Sequence, residues 1–363
     1  MENQPNQNIN IQDLLQKTIE SNASDLHLVS GNAPTLRVDG RLIALTGYPQ
    51  LTTQIIEQMV VSILSPAQKE IFINNRSLDF SYAFGGGDYG DRGRFRINLY
   101  YQRNTIAGAF RLLPPKIRTI EELGLPSICH QFAKMKQGFV LVTGPTGHGK
   151  STTIASILNE INMSTEANII TVEDPIEYVY PKAKSIISQR ELGIDTLSWN
   201  ESLRSALRED PDVLLIGEMR DPESIASAIT IAETGHLVFS TLHTNSASQS
   251  IDRMIDAFPE HQQSQIRTQL AGTLAGVISQ RLIQKIDGGR VVAVEVLLGT
   301  DAVKSNIREG KTHLIDSIIE TSQDIGMIPL EVTLANLVKE GVISLDTARS
   351  YALRQESLIR LIE

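Results

Sequence analysis

The residues whose types and spacing suggest chemistry are concentrated in one short segment, 144–152, which reads GPTGHGKST. It matches G-x-x-x-x-G-K-[ST], the pattern of a loop that binds nucleotide phosphates. Glycines let backbone N–H groups turn toward phosphate oxygens, the lysine can reach the β- and γ-phosphates, and the serine hydroxyl can ligate Mg²⁺. The predicted nucleotide-binding residues are Gly144, Thr146, Gly147, Gly149, Lys150, Ser151 and Thr152.

The flanking residues support a phosphate-binding loop. Residues 139–142 form an apolar run typical of a buried parallel strand. A helix is predicted to begin near Ser151, because apolar residues recur with helical spacing at Ile154, Ile157, Leu158 and Ile161. A strand, a glycine-rich loop and a helix N-terminus together give an anion both hydrogen-bond donors and a favourable dipole.

Further apolar, strand-like runs are each followed directly by a polar residue: Glu173, Glu218 and His243. Ligands of parallel α/β sheets bind at the carboxyl ends of the strands, so parallel strands would bring these residues to the loop that carries Lys150. Glu218 is expected to hold Mg²⁺, directly or through water, or to orient the attacking water. Glu173 is the other candidate to polarise that water.

Two histidines flank the fourth apolar run, which begins Leu237-Val238-Phe239: His236 precedes it and His243 follows it. A histidine near a strand end is commonly a hydrogen-bonded structural residue. Their position around this strand makes a role at the phosphate site the competing interpretation, and the pattern alone leaves both open.

Phosphoryl transfer also needs positive charge against the γ-phosphate, which an arginine from another domain or subunit supplies in many enzymes. The N-terminal part of the chain has several candidates, and any of them could equally be a solvated surface residue. The spacing does not choose among Arg94, Arg96, Arg103 and Arg111.

The secondary-structure pattern of the chain changes at about residue 113, which predicts two domains of different fold class. Residues 11–112 are predicted to form a small α+β domain with a mainly antiparallel sheet, including a hairpin at Asp39-Gly40. Residues 113–121, with Pro114-Pro115, are predicted to be a semi-rigid linker. In 122–363, apolar runs alternate with helical periods, which predicts a doubly wound parallel sheet and a helical C-terminus. Residues 1–10 are rich in Asn and Gln and are predicted to be disordered.

Composition narrows the class of protein. The chain has 363 residues, a net charge of −9 and a pI near 5.4, which argues against nucleic acid as the main partner. Cys129 is the single cysteine, so an intrachain disulfide and a multi-cysteine zinc site are excluded. The sequence lacks both a secretion signal and an uncharged apolar run of the ~18 residues that a membrane span needs. We therefore expect a soluble protein of a reducing compartment.

Longer motifs carry a resemblance to a known family. TVEDPIEY, LREDPDVLLIGEMRD and TGHLVFSTLHTNSA resemble the Asp box, the Walker B box and the His box of secretion-type hexameric ATPases. Within that superfamily, ASDLHL, RGRFRINLYYQR, EGKTH and GMIPLE resemble the PilT-type retraction ATPases of type IV pili. The resemblance covers the chain from about residue 11 to its end.

This resemblance implies a fold and a set of residue roles. The fold is a PAS-like N-terminal domain joined to a RecA-like P-loop domain, an α/β chain assembled in a ring of six. The implied metal ligands are Ser151 and Glu218. The implied catalytic residues are the two box acids, the His-box pair and two arginines of the small domain, namely Glu173, Glu218, His236, His243, Arg96 and Arg111.

The resemblance also implies a function. ATP, bound with Mg²⁺, is hydrolysed around a homohexamer to power pilus disassembly, so that the filament retracts and the cell twitches. The ring is expected to be cytoplasmic, at the inner membrane, where it is held through a pilus platform protein, with no nucleic acid partner. Two departures stand out. His148 replaces the serine usual in the loop, and residues 302–309 match only part of the retraction motif AIRNLIRE.

Three other functions are alternatives to that of a retraction motor. A pilus-assembly or type II secretion ATPase usually carries a tetracysteine insertion and a longer N-terminal region, against which the single cysteine and the short N-terminal domain argue. A RecA-like nucleic-acid translocase is disfavoured by the net acidity. A non-catalytic nucleotide-binding regulator would not need the hydrolytic residues that this chain keeps.

Overall fold

The computed structural model of the protein describes residues 9–85, 92–113, 116–219 and 221–363. The predicted disordered segment 1–10 lies almost wholly outside the described residues, and so do Pro114 and Pro115 of the predicted linker. None of the described helices is long and apolar enough to cross a membrane.

The chain divides into two compact units, each described by itself below. The first unit comprises Met1–Lys116 and a short later segment, Pro175–Val179. The second comprises Ile117–Asp174 and Tyr180–Glu363. The short later segment begins two residues after Glu173, one of the predicted catalytic acids.

The first unit is an α+β domain built on one antiparallel sheet, as predicted. Strand order in the sheet is β3-β2-β1-β6-β5-β4, and every neighbouring pair is antiparallel. Its elements in chain order are α1 (Ile11–Glu20), β1 (Asp25–Leu28), β2 (Thr35–Val38), β3 (Arg41–Ala44), α2 (Thr53–Val61), α3 (Pro66–Asn75), β4 (Ser77–Phe84), β5 (Gly93–Gln102) and β6 (Thr105–Leu113).

Local sequence signals account for these elements. The hairpin between β2 and β3 turns at Asp39 and Gly40, whose φ angles of 48° and 79° are those of a type I′ turn. Along β5, alternate residues face the core, and Phe95, Ile97 and Leu99 are completely buried. The opposite face of β5 is therefore left for polar side chains.

The second unit is a three-layer α/β domain with a helical C-terminal part. Its strands are β7 (Gly138–Thr143), β8 (Asn168–Glu173), β9 (Ile186–Glu191), β10 (Val213–Ile216), β11 (Leu237–Leu242), β12 (Leu274–Gln284) and β13 (Arg290–Leu298). Its helices are α4 (Ile128–Lys134), α5 (Lys150–Ser164), α6 (Trp199–Ala206), α7 (Pro222–Glu233), α8 (Ala247–Asp256), α9 (Glu260–Thr273), α10 (Asp301–Arg308), α11 (Ile315–Thr321), α12 (Leu330–Lys339), α13 (Leu345–Tyr351) and α14 (Gln355–Ile362), with 3₁₀ turns at Thr312–Leu314 and Gln323–Ile325.

The large sheet has the order β13-β12-β7-β11-β10-β8-β9. All neighbours are parallel except the edge hairpin of β12 and β13. The predicted parallel sheet is therefore present, and β9, β12 and β13 extend it beyond the four predicted strands. The central strands are buried on both faces, which explains why they read as continuous apolar runs.

Candidate functional site

The glycine-rich segment closes around the ammonium group of its own lysine. β7 ends at Thr143, and α5 begins at Lys150, as the predicted strand–loop–helix order requires. The Nζ atom of Lys150 donates to the carbonyl oxygens of Gly144 at 2.9 Å and Pro145 at 3.2 Å. Lys150 is buried, which lysine rarely is unless its charge has partners.

Two glycines of the loop occupy positions that other residues would not fit. A Cβ at Gly144 would lie 2.4 Å from the carbonyl oxygen of Gln280, so this position admits no side chain. A Cβ at Gly147 would meet nothing within 4 Å, but its φ of 80° lies in the left-handed region that favours glycine. Gly144 also has a positive φ, of 142°, so the loop path depends on backbone conformation at both glycines and, at Gly144, on close packing as well.

His243 joins the loop to the predicted Walker B acid. Its Nδ1 atom lies 3.2 Å from Nζ of Lys150 and 3.2 Å from the hydroxyl oxygen of Thr146. Its Nε2 atom lies 3.1 Å from Oε1 of Glu218. A lysine ammonium can only donate, so Nδ1 accepts and the ring proton sits on Nε2, from which it is donated to Glu218. One imidazole therefore spans the phosphate-binding lysine and the acid.

Backbone and hydroxyl hydrogen bonds hold the strand ends in place. Gly217, directly before Glu218, donates its N–H to the carbonyl of Val172 at 2.8 Å. The hydroxyl of Thr241 donates to the carbonyl of Gly217 at 2.6 Å. A Cβ on Gly217 would lie 3.2 Å from the carbonyl oxygen of Val172, so a glycine allows this close approach. The structure thus places Glu173, Glu218 and His243 at the carboxyl ends of parallel strands, next to the loop that follows β7.

Glu173 is the last residue of β8 and is buried. Its Oε1 atom accepts a hydrogen bond from the hydroxyl of Thr171 at 2.7 Å and another from Nε2 of Gln189 at 3.2 Å. Thr171 shares its strand face because it lies two residues earlier. Gln189 belongs to β9, which the sequence reading did not predict. Both donors fix the orientation of the carboxyl group.

His236 lies at the opposite, amino ends of the parallel strands. It precedes β11, whereas His243 follows it, and a strand of this length separates them by about 20 Å. Its Nδ1 atom contacts the hydroxyl of Thr234 and the carbonyl of Ile231, both at 3.0 Å. The structure does not bring His236 to Lys150 within this chain, so its catalytic role stays a prediction.

The two predicted arginines lie in the first unit. Arg96 of β5 is directly opposite Arg111 of β6 in the antiparallel register. Arg96 forms ion pairs with Asp79 at 2.7 Å and with Glu177 at 3.7 Å, and Arg111 pairs with Asp25 at 3.0 Å. Their action on a nucleotide also stays a prediction.

Gln280 also contacts the loop, and the sequence pattern did not predict it. Its Nε2 donates to the backbone carbonyl of His148 at 2.6 Å, and its Oε1 accepts from the hydroxyl of Thr153 at 2.8 Å. It lies on β12, more than a hundred residues after the loop in sequence, so only pairing of β12 with β7 could have indicated it.

The predicted metal ligands suit a magnesium ion that accompanies a nucleotide. Ser151 is exposed in the first turn of α5, and Glu218 is partly exposed. Among the described residues there is no group of three or more His, Cys, Asp or Glu side chains that could hold a metal. Mg²⁺ needs no such cage, since it is commonly held by one or two protein oxygens together with phosphates and water. One hydroxyl and one carboxylate fit this requirement.

The chain is similar to characterised proteins over nearly its full length. Residues 118–340 match the family described as Type II/IV secretion system protein. The type IV pilus retractation ATPase PilT of Pseudomonas aeruginosa is 44% identical over 344 residues, 95% of this chain and 98% of that protein. A twitching motility protein of Neisseria gonorrhoeae is 44% identical over 326 residues, 90% of this chain and 86% of that protein.

Similarity of structure agrees with similarity of sequence. The crystal structure of the pilus retraction motor PilT with bound ADP superposes with a TM-score of 0.89 at 44% identity, covering 97% of this chain and 99% of that one. The α+β and α/β units of the present chain are thus those of a known ATPase fold. The chain belongs to the type II/IV secretion system protein family, and within it to the PilT-type ATPases.

Proposed function

We propose that this chain is the subunit of a hexameric motor that hydrolyses ATP to retract a type IV pilus. The observation that carries the hydrolytic part is the run of contacts from Lys150 through His243 to Glu218. A lysine placed for the β- and γ-phosphates is thereby coupled to the acid at the end of the neighbouring strands. The retraction part rests on the two relatives that are named for pilus retraction and twitching.

The chemistry follows from the groups at this edge of the sheet. Loop N–H groups and the N-terminus of α5 bind phosphate oxygens, and Lys150 neutralises their charge. Ser151 and Glu218 would hold Mg²⁺, which supplies further charge neutralisation when bound. Glu173, oriented by Thr171 and Gln189, is the group that accepts the proton of the attacking water.

The role of the first unit is to sense the γ-phosphate. Arg96 and Arg111 supply the positive charge that phosphoryl transfer needs. Glu177, an ion-pair partner of Arg96, follows Glu173 by only four residues, so the chain links the arginine pair to the catalytic acid covalently. Loss of the γ-phosphate would release the arginines, and a rotation about the linker 113–121 would convert that release into movement.

The proposed assembly is a homohexamer in the cytoplasm. It acts against a platform protein of the inner membrane and is peripheral to the membrane through that partner. A ring of six converts sequential rotations into axial displacement of the filament. Nucleic acid has no part in this cycle, in keeping with the net charge of −9.

A pilus-assembly or type II secretion ATPase is the second candidate. The observation that favours it is the partial match of residues 302–309 to the retraction motif. Against it, a chain with Cys129 as its single cysteine cannot form the tetracysteine site that those relatives usually carry. Retraction is therefore the better supported direction of force.

Two variants test the hydrolytic site in the purified full-length protein. Lys150→Ala is expected to abolish ATP turnover, and Glu218→Gln to bind ATP without cleaving it. Lys134→Ala, an exposed lysine on α4, is the matched control and should hydrolyse ATP like the wild type. Normal turnover in Lys150→Ala would remove the loop from the mechanism.

Deletion in the native cell tests the direction of force. Numerous long pili that do not retract, with loss of twitching, are expected. Cells without pili would instead show that the motor assembles the filament, and restoration by the wild type but not by Lys150→Ala would tie either outcome to ATP.

A further inference from the structure

Strand β12 runs past the end of β7 and along the phosphate-binding loop. The parallel pairing of the two strands ends where Ser279 lies opposite Thr143. β12 continues to Gln284 and stays paired with β13 on its other side, so beyond Ser279 the loop takes the place of β7 beside it. The loop therefore supplies contacts that a sheet partner would otherwise make.

Gln280 is the first β12 residue beyond this pairing, and it contacts the loop in three ways. Its carbonyl oxygen lies against Gly144, its side-chain amide donates to the carbonyl of His148, and its side-chain oxygen accepts from Thr153 in α5. The residue is 1% exposed, so these hydrogen bonds are shielded from water. One glutamine thus touches the beginning of the loop, its end and the helix that follows.

His148 makes the next contact along the strand. Its Nδ1 atom accepts a hydrogen bond from the backbone N–H of Leu282 at 3.1 Å. Burial lowers the pKa of His148, and the positive charges of Arg281, Lys150 and Arg290 lower that pKa further. A neutral ring is what acceptance at Nδ1 requires.

The same imidazole also reaches the C-terminal helices. Its ring centroid lies 6.4 Å from that of Tyr351 at the end of α13, with an interplanar angle of 56°. This separation is within the range of favourable ring contacts. His148 therefore lies between β12 and α13, and its own backbone belongs to the loop.

We propose that Gln280 and His148 are positioning residues for nucleotide binding, which brace the loop against β12 so that its N–H groups stay directed at the phosphates. The inference rests on the proposed ATPase function of the same loop. It assigns a role to His148, the loop residue that departs from the usual serine. The two residues act through the loop backbone and need not touch the nucleotide.

The test measures the affinity of the full-length protein for a fluorescent ADP derivative with Mg²⁺, together with KM and kcat for ATP. His148→Ala removes the acceptor for Leu282, and the dissociation constant is expected to rise roughly threefold to tenfold. His148→Asn can accept through its amide oxygen and should restore the affinity to within about twofold of the wild type. The unfolding temperature is measured in parallel.

Gln280→Glu keeps the shape of the side chain and its acceptor for Thr153 but loses the donor to His148. It is expected to weaken ADP binding, whereas Gln284→Glu, the same change at the exposed end of β12, should not. A purely structural role would lower the unfolding temperature of these variants without changing the dissociation constant well below that temperature.

The outcomes distinguish the positioning role of Gln280 and His148, called the brace here, from the proposed ATPase function. Wild-type affinity and KM in His148→Ala would overturn the brace, and so would equal losses in His148→Ala and His148→Asn. A wild-type chain that binds ADP and never hydrolyses ATP would overturn the proposed function, while the ADP affinities would still decide for or against the brace. A wild-type chain that binds no nucleotide would overturn both.

Discussion

Arg96 and Arg111 lie directly opposite each other on two antiparallel strands, with their side chains on the same face of the sheet. Like charges in this arrangement destabilise a sheet. Three carboxylates offset the repulsion, since Asp79 and Glu177 pair with Arg96 and Asp25 pairs with Arg111. These ion pairs keep two like charges next to each other on one face of the sheet, which is the arrangement that the proposed sensing of the γ-phosphate requires.

Arg96→Ala is therefore expected to cut ATP hydrolysis at least tenfold while leaving the free energy of unfolding within about 1 kcal/mol of the wild type. The ion pairs are a third exposed, so their loss costs little, and removal of the Arg–Arg repulsion offsets part of that cost. Arg41→Ala, on the exposed edge strand of the same sheet, is the control. Undiminished turnover in Arg96→Ala would mean that Arg96 is a solvated surface residue with no role in hydrolysis.

His243→Ala breaks the contact between the phosphate-binding lysine and Glu218. We expect kcat to fall roughly tenfold or more, because Glu218 loses the donor that orients it and Lys150 loses an acceptor. Nucleotide affinity should change less, since Lys150 keeps its backbone partners. His261→Ala, an exposed histidine on α9, should match the wild type in steady-state kinetics. A variant with an unchanged kcat would deny His243 any part in the chemistry.

The placement of these residues was only partly predictable from sequence. The strand–loop–helix order around Lys150 and the convergence of Glu173, Glu218 and His243 were predictable, because each strand is a continuous apolar run followed by a polar residue. His236 does not fit this pattern, because it precedes β11 whereas His243 follows it, and so it lies at the opposite end of the strand from Glu173, Glu218 and His243.

Gln189 and Gln280 could not be found in this way. β9 begins with an exposed isoleucine and is mostly polar, so it lacks the apolar run of a central strand. β12 follows α9 without a loop, which hides the change from helical to extended backbone. Their contacts with Glu173 and the loop depend on sheet order, which local periodicity does not encode.

Gly144→Ala tests the packing of the loop. The new Cβ would overlap the carbonyl oxygen of Gln280, so we expect a loss of roughly 2 kcal/mol or more in the free energy of unfolding and a loss of nucleotide binding. Gly147→Ala adds backbone strain in open space and should cost about 1 kcal/mol. Urea unfolding of both variants measures the difference. Equal costs at the two positions would show that the contact with Gln280 is relieved easily.

Glu295→Gln is expected to change how stability depends on pH. Glu295 is 1% exposed, and burial raises its pKa from 4.5 to about 7, even though it accepts a hydrogen bond from the N–H of Ala247. A raised pKa of an acid means that its contribution to stability is fully present below pH 4.5 and is lost as the pH rises through about 7. The glutamine variant should therefore gain up to roughly 3 kcal/mol over the wild type between pH 5 and pH 8.

Urea unfolding at both pH values measures that gain. Glu309→Gln is the control, because the pKa of exposed Glu309 is lowered, first by its hydrogen bond with Lys311, so it stays ionised over this range. A constant difference between Glu295→Gln and the wild type at all pH values would mean that Glu295 does not titrate there.

The backbone contact between Gly144 and Gln280 has a consequence for the entropy of ligand binding. Ordering a flexible segment costs about 1–2 kcal/mol for each residue that becomes fixed. Here the beginning of the loop is fixed by packing against β12, and its end by the lysine and Gln280, so that entropy is lost when the domain folds. A nucleotide can then bind to a preorganised surface without first ordering the loop.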